Sequence, residues 1–286
     1  MFPASIAGRS GAVRTAYGAG VLLLLVLWLL PLMGVALTSL RSVDDLNRGN
    51  YWGWPTEFHL LQNYGQVLAG SHIGSFIANS FMITIPAVVA TVLFASMAGF
   101  ALAKHDFRGN RALLMLFVAG NLVPAQALMI PVRDLMIALD LYDTRVALVL
   151  FHTAFQTGFG TLFMRNFIRE LPDPVLDAAR IEGAGELTVF WRVVMPLVHP
   201  AMAAIAVLIF TFVWNDYFWS LVLVQSDAVR PLTAGLQSLR GTWQTAWPLV
   251  AAGSLLAAIP PVVVFFLMQR HLIAGLTYSG AETQGG

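Results

Sequence analysis

Six long apolar stretches constrain the fold of this chain more than any other feature of its sequence. A helix needs about 20 mainly apolar residues to cross the hydrocarbon core of a bilayer, and each stretch is long enough to do so. The predicted spans are Tyr17–Thr38, Phe76–Ala103, Ala112–Ile130, Val146–Phe163, Ala201–Val224 and Trp247–Met268. The sequence therefore predicts an all-α polytopic membrane protein with six transmembrane helices.

The composition agrees with this prediction. Hydrophobic residues make up 58% of the chain and charged residues only 11%, whereas a soluble domain carries about 25% charged residues. This balance excludes a disordered protein, a nucleic-acid-binding protein and an ordinary cytosolic enzyme. The sequence contains no Cys, which excludes disulfide frameworks, thiol catalysis and Cys-ligated metal sites.

The basic residues predict the orientation of the spans, because cytoplasmic loops carry an excess of Lys and Arg. With the N-terminus inside, 10 basic residues lie on the inner side and 6 on the outer side. The bias is clearest in the short connection Lys104–Arg111, between the second and third spans. Both termini are therefore predicted to be cytoplasmic.

The connection between the fourth and fifth spans, residues 165–197, has the sequence pattern of two short helices. Asp173 is a good N-cap residue and Pro174 fits the first helical position. The glycines at 183 and 185 predict a stop and a turn, with Gly183 in the left-handed conformation that only glycine adopts without steric cost. A second helix is predicted from 186 toward 195, with four apolar residues on one face: Leu187, Phe190, Trp191 and Val194.

Small residues distinguish this 165–197 loop from a simple amphipathic element. A helix lying on lipid would explain the apolar face of the second predicted helix. It would not explain Ala178 and Ala179 or the Gly-Ala-Gly turn that begins at Gly183. Small side chains permit the close approach of another protein, so docking of a protein partner is the favoured interpretation. Small residues within the spans, at Ala95, Gly99, Gly158 and Gly160, predict close helix packing.

The same loop carries a resemblance to a known family. The run Asp177-Ala-Ala-Arg-Ile-Glu-Gly-Ala184, with Phe190, Met195-Pro-Leu197 and Pro200, resembles the EAA signature of ABC-importer permeases. It is most similar to the carbohydrate-type subunits, the group that includes the smaller permease of the maltose importer. The resemblance extends through Trp214–Trp219 and Gln269–Thr277. Asp177 and Glu182 stand where the family often has Glu and Asp, and both keep the negative charge.

The resemblance implies a type I ABC-importer permease of the bacterial inner membrane. Residues 1–75 would form an N-terminal segment with the first span and an outer loop, 76–280 the permease core, and 281–286 a disordered tail. The family implies four protein partners for this chain: a second homologous permease, two cytoplasmic ATPase subunits and an external solute-binding protein. Membrane lipid surrounds the spans, and a sugar-like solute is the expected substrate.

The resemblance also implies which residues couple the chain to the ATPase. These are Asp177, Ala178, Ala179, Glu182, Gly183, Ala184, Gly185 and Pro196. The sequence has no Gly-x-x-x-x-Gly-Lys-Ser/Thr phosphate loop, and its one lysine is Lys104. No cofactor is therefore expected on this chain; ATP and Mg²⁺ would be bound by the partner ATPase.

Polar residues within the spans are candidates for a sugar path, because amides and carboxylates pair with hydroxyl groups. They are Asn79, Asn121, Gln126, His152, Gln156, Asn215 and Asp216. The alternative is hydrogen bonding between helices, and for Asp216 that structural role is favoured. The outer loop residues Gly241, Thr242, Trp243 and Gln244 are predicted to reach into the docked binding protein, as the corresponding loop does in related permeases.

Two other classes of protein remain as alternatives. A self-sufficient secondary transporter or channel would favour an ion-coupling carboxylate at mid-membrane and weak internal repeats; Asp216 is the one acidic residue in a predicted span, and no clear repeat is visible. A polytopic membrane enzyme would need catalytic side chains at one depth, and no such set is recognisable. The scattered histidines show no metal-ligand spacing, so neither a catalytic nor a metal site is predicted.

Overall fold

The computed structural model describes residues 10–69, 72–239 and 246–278 of the chain. These residues form helices joined by turns and loops, and no strand is found among them, so the all-α prediction is confirmed. The helices are α1 (Gly11–Ser39), α2 (Val43–Asn47), α3 (Leu60–Ala69), α4 (Ile73–Lys104), α5 (Asn110–Leu122), α6 (Met129–Ala138), α7 (Arg145–Arg169), α8 (Asp173–Ile181), α9 (Glu186–Val189), α10 (Met195–Leu197), α11 (His199–Trp214), α12 (Phe218–Leu223), α13 (Leu232–Gly235) and α14 (Trp247–Tyr278). The predicted tail 281–286 lies outside the described residues.

Four of these helices, α1, α4, α7 and α14, are long and apolar enough to cross a membrane. Two bent pairs of shorter helices raise the number of spans to six if each pair counts as one. The chain divides into two compact units, Met1–Ser71 with Ser238–Leu256 and His72–Gln237 with Ala257–Gly286.

In the first unit, the segment after α1 is organised around the buried side chain of Arg41. Its guanidinium donates to the carbonyl oxygens of Asn50 and Gly53. Asp45 accepts hydrogen bonds from the backbone N–H of Thr56 at 3.0 Å and from its hydroxyl at 2.9 Å. The backbone hydrogen bond from Thr56 holds the pKa of Asp45 below its ordinary value. This segment is therefore a folded element rather than a plain linker.

In the second unit, α4 and α7 pack side by side through small residues. A Cβ added at Gly160 would lie 2.8 Å from the Cβ of Ala95, and one added at Gly99 would lie 2.9 Å from the backbone nitrogen of Arg165. Contacts this short leave no room for a larger side chain. The prediction that these small residues permit close helix packing is confirmed.

The third predicted span, Ala112–Ile130, is a bent pair of helices rather than one straight helix. Helix α5 ends at Leu122, a 3-10 turn follows over Ala125–Leu128, and the two halves of the pair meet at an angle of 94°. The cause is Pro124, because a residue that precedes proline is driven out of the helical region. Val123 accordingly has the extended backbone angles φ −73° and ψ 122°.

The fifth predicted span, Ala201–Val224, is also not continuous. Helix α11 ends at Trp214, and the separate helix α12 begins at Phe218. The Asp216 carboxylate accepts hydrogen bonds from the backbone N–H groups of Trp219 at 3.3 Å and Ser220 at 3.0 Å. An aspartate that bonds to nearby backbone N–H groups in this way starts a new helix rather than continuing the preceding one.

Candidate functional site

Residues 165–169 of the 165–197 loop form the end of α7. The first separate helix of the loop is α8, which runs from Asp173 to Ile181. The residue at the N-cap is Pro172, so the cap and the first helical residue each lie one position earlier than predicted. Gly183 has a φ of +84°, which confirms the predicted left-handed conformation. Its N–H donates to the carbonyl of Arg180, and the N–H of Ala184 donates to that of Ala179, both at 3.0 Å. This pair of bonds is the Schellman arrangement that ends many helices.

Ion pairs join α8 to the start of α9. Arg180 donates from Nε to Glu186 Oε1 at 2.9 Å and from a terminal nitrogen to Asp177 Oδ1 at 3.0 Å. Nε2 of His105, from the connection after α4, lies 3.1 Å from Glu186 Oε2. The hydrogen bonds from Arg180 are the main reason that the pKa of Glu186 lies below its ordinary value. The two loop helices are therefore held in one arrangement by charged side chains.

Lys104 joins the C-terminal end of α4 to this loop. Its ammonium group donates to the carbonyl of Leu171 at 2.6 Å and to Asp173 Oδ1 at 2.7 Å. The hydrogen bond from Lys104 lowers the pKa of Asp173. The lysine side chain is only 7% exposed, so this contact is sheltered even though the loop lies at the surface.

The second part of the loop contains a π turn, Phe190–Val194, between α9 and α10. Phe190 and Val194 are buried, whereas Leu187 and Trp191 are 69% and 52% exposed. The prediction that these four residues share one face is therefore wrong. In a π turn the backbone hydrogen bonds join residues i and i+5, so each turn contains more residues than a turn of α-helix. The 3.6-residue period used for the prediction therefore does not apply. At Leu197 the segment bends by 77° into α11.

The predicted coupling residues lie close together in the chain, and most of them are exposed. In α8 the side chain of Leu176 is buried, whereas the apolar side chains of Val175 and Ile181 are exposed. Ile181 is 86% exposed. Of the eight predicted coupling residues, six are exposed and two are half-buried; the exposed ones are Asp177, Ala178, Glu182, Gly183, Gly185 and Pro196, and the half-buried ones are Ala179 and Ala184. The loop thus presents a small, partly apolar surface around the Gly183 turn.

A second polar cluster lies at the N-terminal ends of α4 and α7. Asn79 is buried, and its amide donates to the carbonyls of Ala228 at 3.1 Å and Arg230 at 2.9 Å. Its Oδ1 accepts a hydrogen bond from Nε of Arg145 at 2.8 Å. Ser80 accepts from the backbone N–H of Leu232 at 2.9 Å. Both amide hydrogens of Asn79 are therefore used to hold the segment that follows α12.

Asp143 completes this cluster, which we call the polar anchor (Asn79, Ser80, Asp143 and Arg145 with residues 224–232). Its Oδ1 accepts from the backbone N–H groups of Gln225 at 2.7 Å and Ser226 at 2.9 Å. Partial burial alone would raise the pKa of Asp143, but the hydrogen bonds from Ser226 and Gln225 outweigh it, so the pKa lies below the ordinary value. Asp143 adopts a φ of +61°, which Asp tolerates better than most residues.

Two of the predicted path residues meet in the interior of the second unit. His152 Nε2 lies 3.6 Å from Asp216 Oδ2, and the two side chains are 7% and 12% exposed. Asn215, next to this pair in the chain, is exposed and donates from its amide to the carbonyl of Thr211 at 2.8 Å. Gln156 is half-buried on α7, one turn beyond His152.

A largely apolar cavity of about 600 Å³ lies beside α5 and α7. Asn121, Thr153 and Gly158 are among the residues that line it. The Asn121 amide donates to the carbonyl of Phe117 at 2.7 Å, while the Thr153 hydroxyl is buried and has no hydrogen-bond partner in the described chain. Gln126 is exposed on the 3-10 turn. The seven predicted path residues therefore do not form a single site.

The contacts of Asp143, Arg145 and Glu186 were not predicted from the sequence. The partners of Asp143 and Arg145 lie 82 and 66 residues away along the chain, so periodicity gives no signal for them. Glu186 pairs with Arg180, which is six residues away across the Gly183 turn. The predicted binding-protein loop, residues 241–244, lies outside the described residues. In the described ranges, no group of three or more His, Asp or Glu side chains is placed to hold a metal ion.

The chain matches the family described as the binding-protein-dependent transport system inner membrane component over residues 91–278, which is more than half of its length. The chain belongs to this family. It is a permease subunit of an ABC importer that works with a solute-binding protein, and a multi-pass protein of the bacterial inner membrane. Members are transport subunits rather than enzymes, and the alternative of a self-sufficient transporter or channel is set aside.

Individual relatives agree with this assignment. The permease is 36% identical over 263 residues to the osmoprotective compounds uptake permease protein GgtD of Synechocystis sp., covering 90% of this chain and 88% of the relative. It is 33% identical over 254 residues to the arabinooligosaccharides transport system permease protein AraQ of Halalkalibacterium halodurans, covering 88% and 90%. These relatives confirm the resemblance to carbohydrate-type permeases.

A solved structure supports the fold. The permease superposes with a TM-score of 0.79 and 25% identity on a chain from the crystal structure of a bacterial ABC transporter involved in the import of the acidic polysaccharide alginate. The match covers 92% of this chain and 98% of that chain. The ABC-importer permease fold therefore extends over nearly the whole chain.

Proposed function

We propose that the 165–197 loop transmits ATP-driven movement from a cytoplasmic ATPase to the spans of this permease. In the proposed assembly, this chain pairs with a second homologous permease, and two ATPase subunits dock beneath them. The ATPases bind ATP and Mg²⁺, and this chain binds no cofactor. An external binding protein delivers the solute, and both termini of the permease lie in the cytoplasm.

The observation that carries this proposal is the exposed surface of α8 and the Gly183 turn. Burial of a large apolar side chain is favourable, but Ile181, in a loop of mainly polar residues, is 86% exposed. Ala178 beside it is small, and a Cβ added at Gly183 would meet nothing within 4 Å. A shallow apolar surface with small residues suits insertion into a cleft of another protein.

The internal contacts of the loop support the same role. Lys104 joins α8 to the end of α4, and Arg180 joins α8 to α9. A displacement of α8 would therefore be passed on to two other elements rather than absorbed by a flexible loop. From α10 the chain enters α11 directly, through the bend at Leu197.

The solute is proposed to be a sugar or a sugar-like compound. Carbohydrate-type relatives, including one named for arabinooligosaccharides, support this class. Within the chain, the cavity beside Asn121 and the ring of His152 offer amide and imidazole groups for hydroxyl groups. Asp216 is left out because its carboxylate already accepts hydrogen bonds from the start of α12. Asn79 is omitted from the proposed path because its amide is already used by the polar anchor. Purification of the importer with its binding protein, followed by mass spectrometry of the bound solute, tests the class.

The substitution Gly183→Asp tests the coupling role. It forces a non-glycine residue into a left-handed position at a cost of about 1 kcal/mol and adds charge and volume to the proposed contact. We expect uptake to fall sharply, with weaker ATPase association or with ATP hydrolysis that no longer responds to the loaded binding protein. The spans should insert normally, because Gly183 is exposed and contacts none of them.

The matched control is Gly49→Asp. Gly49 also has a positive φ, of +82°, and open space around it, so the backbone cost and the added charge are the same. It lies after α2, in the other unit, and its substitution should leave coupling intact. Wild-type uptake with normal stimulation in Gly183→Asp would show that the loop does not transmit the movement.

A further inference from the structure

A polar cavity of about 770 Å³ lies between the connection after α4 and the C-terminal part of α7. Its lining includes the basic side chains of Arg108, Arg111 and Arg165 together with Asp106 and Asn110. The cavity is separate from the exposed surface of α8 and from the cavity beside Asn121. None of the eight predicted coupling residues and none of the sugar-path residues lines it, although Arg165 is the first residue of the 165–197 loop.

The charges around this cavity are unbalanced, unlike those of the neighbouring loop. Lys104 and Arg180 are paired with carboxylates, as described above. The side chains of Arg108 and Arg111, by contrast, make no hydrogen bond or ion pair within the described chain. The Arg165 side chain donates only from Nε to the carbonyl of Leu102, at 3.3 Å. Asp106 is the one carboxylate in the lining, so the cavity carries an excess of positive charge.

An apolar helix surface begins directly beside the arginines. Helix α5 starts at Asn110, and within the described chain none of its residues is buried. Leu113 is 42% exposed, Met115 68% and Leu116 65%. A basic cavity that opens onto an apolar span surface combines the two features of a phospholipid, an anionic headgroup and an acyl chain.

We propose that the cavity binds the headgroup of an anionic phospholipid, with an acyl chain along α5. The guanidinium group is suited to phosphate because its planar fork donates two parallel hydrogen bonds to phosphate oxygens. The proposed orientation puts this cavity at the cytoplasmic leaflet. A lipid fits better than an acidic protein surface, because the basic side chains lie next to an apolar span rather than in a polar face.

The test is native mass spectrometry of the full chain in detergent, titrated with phosphatidylglycerol, phosphatidylcholine or inorganic phosphate. We expect phosphatidylglycerol to bind about tenfold more tightly than phosphatidylcholine. The double variant Arg108→Gln/Arg111→Gln should lose that preference. The control Arg14→Gln/Arg192→Gln removes the same charge from two exposed arginines outside the cavity and should keep it. Thermal unfolding of both double variants establishes that they are folded.

Four results would overturn the proposal. Equal binding of the two lipids, or an unchanged preference in Arg108→Gln/Arg111→Gln, would show that the arginines do not select an anionic headgroup. Binding of inorganic phosphate as tight as that of phosphatidylglycerol would assign the cavity to a free anion. Displacement of the lipid by added ATPase subunits, with loss of ATPase association in the variant, would assign it to protein contact. None of these measurements depends on the coupling role of the 165–197 loop.

Discussion

The helices α4 and α7 lie side by side in the second unit. Different kinds of interaction connect their N-terminal and C-terminal ends to the neighbouring segments. At the N-terminal ends, the polar anchor uses the buried side chains of Asn79 and Ser80 to bind backbone groups of residues 224–232. At the C-terminal ends, the 165–197 loop is held by side-chain ion pairs in which Arg180, Asp177 and Glu186 are 33%, 58% and 50% exposed.

This difference separates a fixed end from an adjustable one. Buried hydrogen bonds to the backbone are costly to leave unmade, because the carbonyl groups would lose a partner without gaining water. Exposed ion pairs contribute little and can be exchanged for water at little cost. We infer that the anchor end keeps its arrangement while the loop end changes, which is what the proposed coupling role of the loop requires.

The largest effect is expected from Asn79→Leu. The substitution removes the donors to the carbonyls of Ala228 and Arg230 and the acceptor for Arg145. Ala228 is exposed and its carbonyl keeps a hydrogen bond from Arg145, so the main losses fall on the Arg230 carbonyl and on Nε of Arg145. A shielded polar group left without a partner costs about 1–3 kcal/mol. Thermal unfolding of the purified permease should therefore shift strongly downward, by the equivalent of more than about 2 kcal/mol.

Asn121→Leu is the matched control, because the exposed Asn121 amide donates only to a carbonyl of its own helix. Its effect on unfolding should be within about 0.5 kcal/mol. Similar shifts for the two substitutions would show that the anchor is no more important to stability than an exposed amide.

A smaller, pH-dependent effect is expected from Asp143→Asn. Asn also tolerates a positive φ, so the substitution tests the charge rather than the backbone. The native pKa of Asp143 lies below the ordinary 3.8; its ionised form therefore stabilises the fold above that value, and the contribution is lost as the pH falls through the native pKa. At pH 6 the variant should be less stable by about 1 kcal/mol.

Unfolding measured from pH 6 down to pH 3 checks this prediction. The difference between wild type and Asp143→Asn should shrink below about pH 4, the region in which a free aspartate titrates. A constant difference across the range would mean that the charge of Asp143 does not stabilise the anchor.

The smallest effect is expected from Glu186→Gln, at the adjustable end. Removal of an exposed ion-pair partner should cost less than about 1 kcal/mol in global stability, yet amide hydrogen exchange in α8 should become faster. High salt should speed exchange in wild-type α8 in the same way, because it screens exposed charges. Exchange at residues 224–232 should not change.

Glu182→Gln provides the control within the same loop, since Glu182 makes no ion pair in the described chain. If the rate of amide hydrogen exchange in α8 does not depend on salt, or if both substitutions change it equally, the distinction between the polar anchor and the 165–197 loop is lost.

The general fold could be predicted because long apolar stretches of the sequence identify the segments that cross the lipid bilayer. The size of the breaks within spans could not, because it depends on local backbone chemistry. Pro124 was visible in the sequence, but hydropathy did not say that it would separate two helices at 94°. Asp216 looked like a polar residue within a span until its bonds to the N–H groups of α12 defined it as the start of a new helix.

The candidate site shows the same division. The Gly183 turn could be predicted, because a left-handed glycine after a short helix is a local pattern. The polar anchor could not, since Asn79 and Ala228 are separated by 149 residues and no period connects them. The face of the second loop helix was predicted wrongly because a regular helical period was assumed across the π turn at Phe190–Val194.

The chemical reactivity of Lys104 can report whether the 165–197 loop contacts α4. Lys104 is the one lysine of the sequence, and its amine is engaged by Asp173 and by the carbonyl of Leu171. Acylating reagents attack a neutral, accessible amine, so this nitrogen should stay unmodified while the loop rests against α4. Addition of a single acyl group at Lys104, read from the mass of a proteolytic fragment, would therefore record the fraction of molecules in which the loop has moved away.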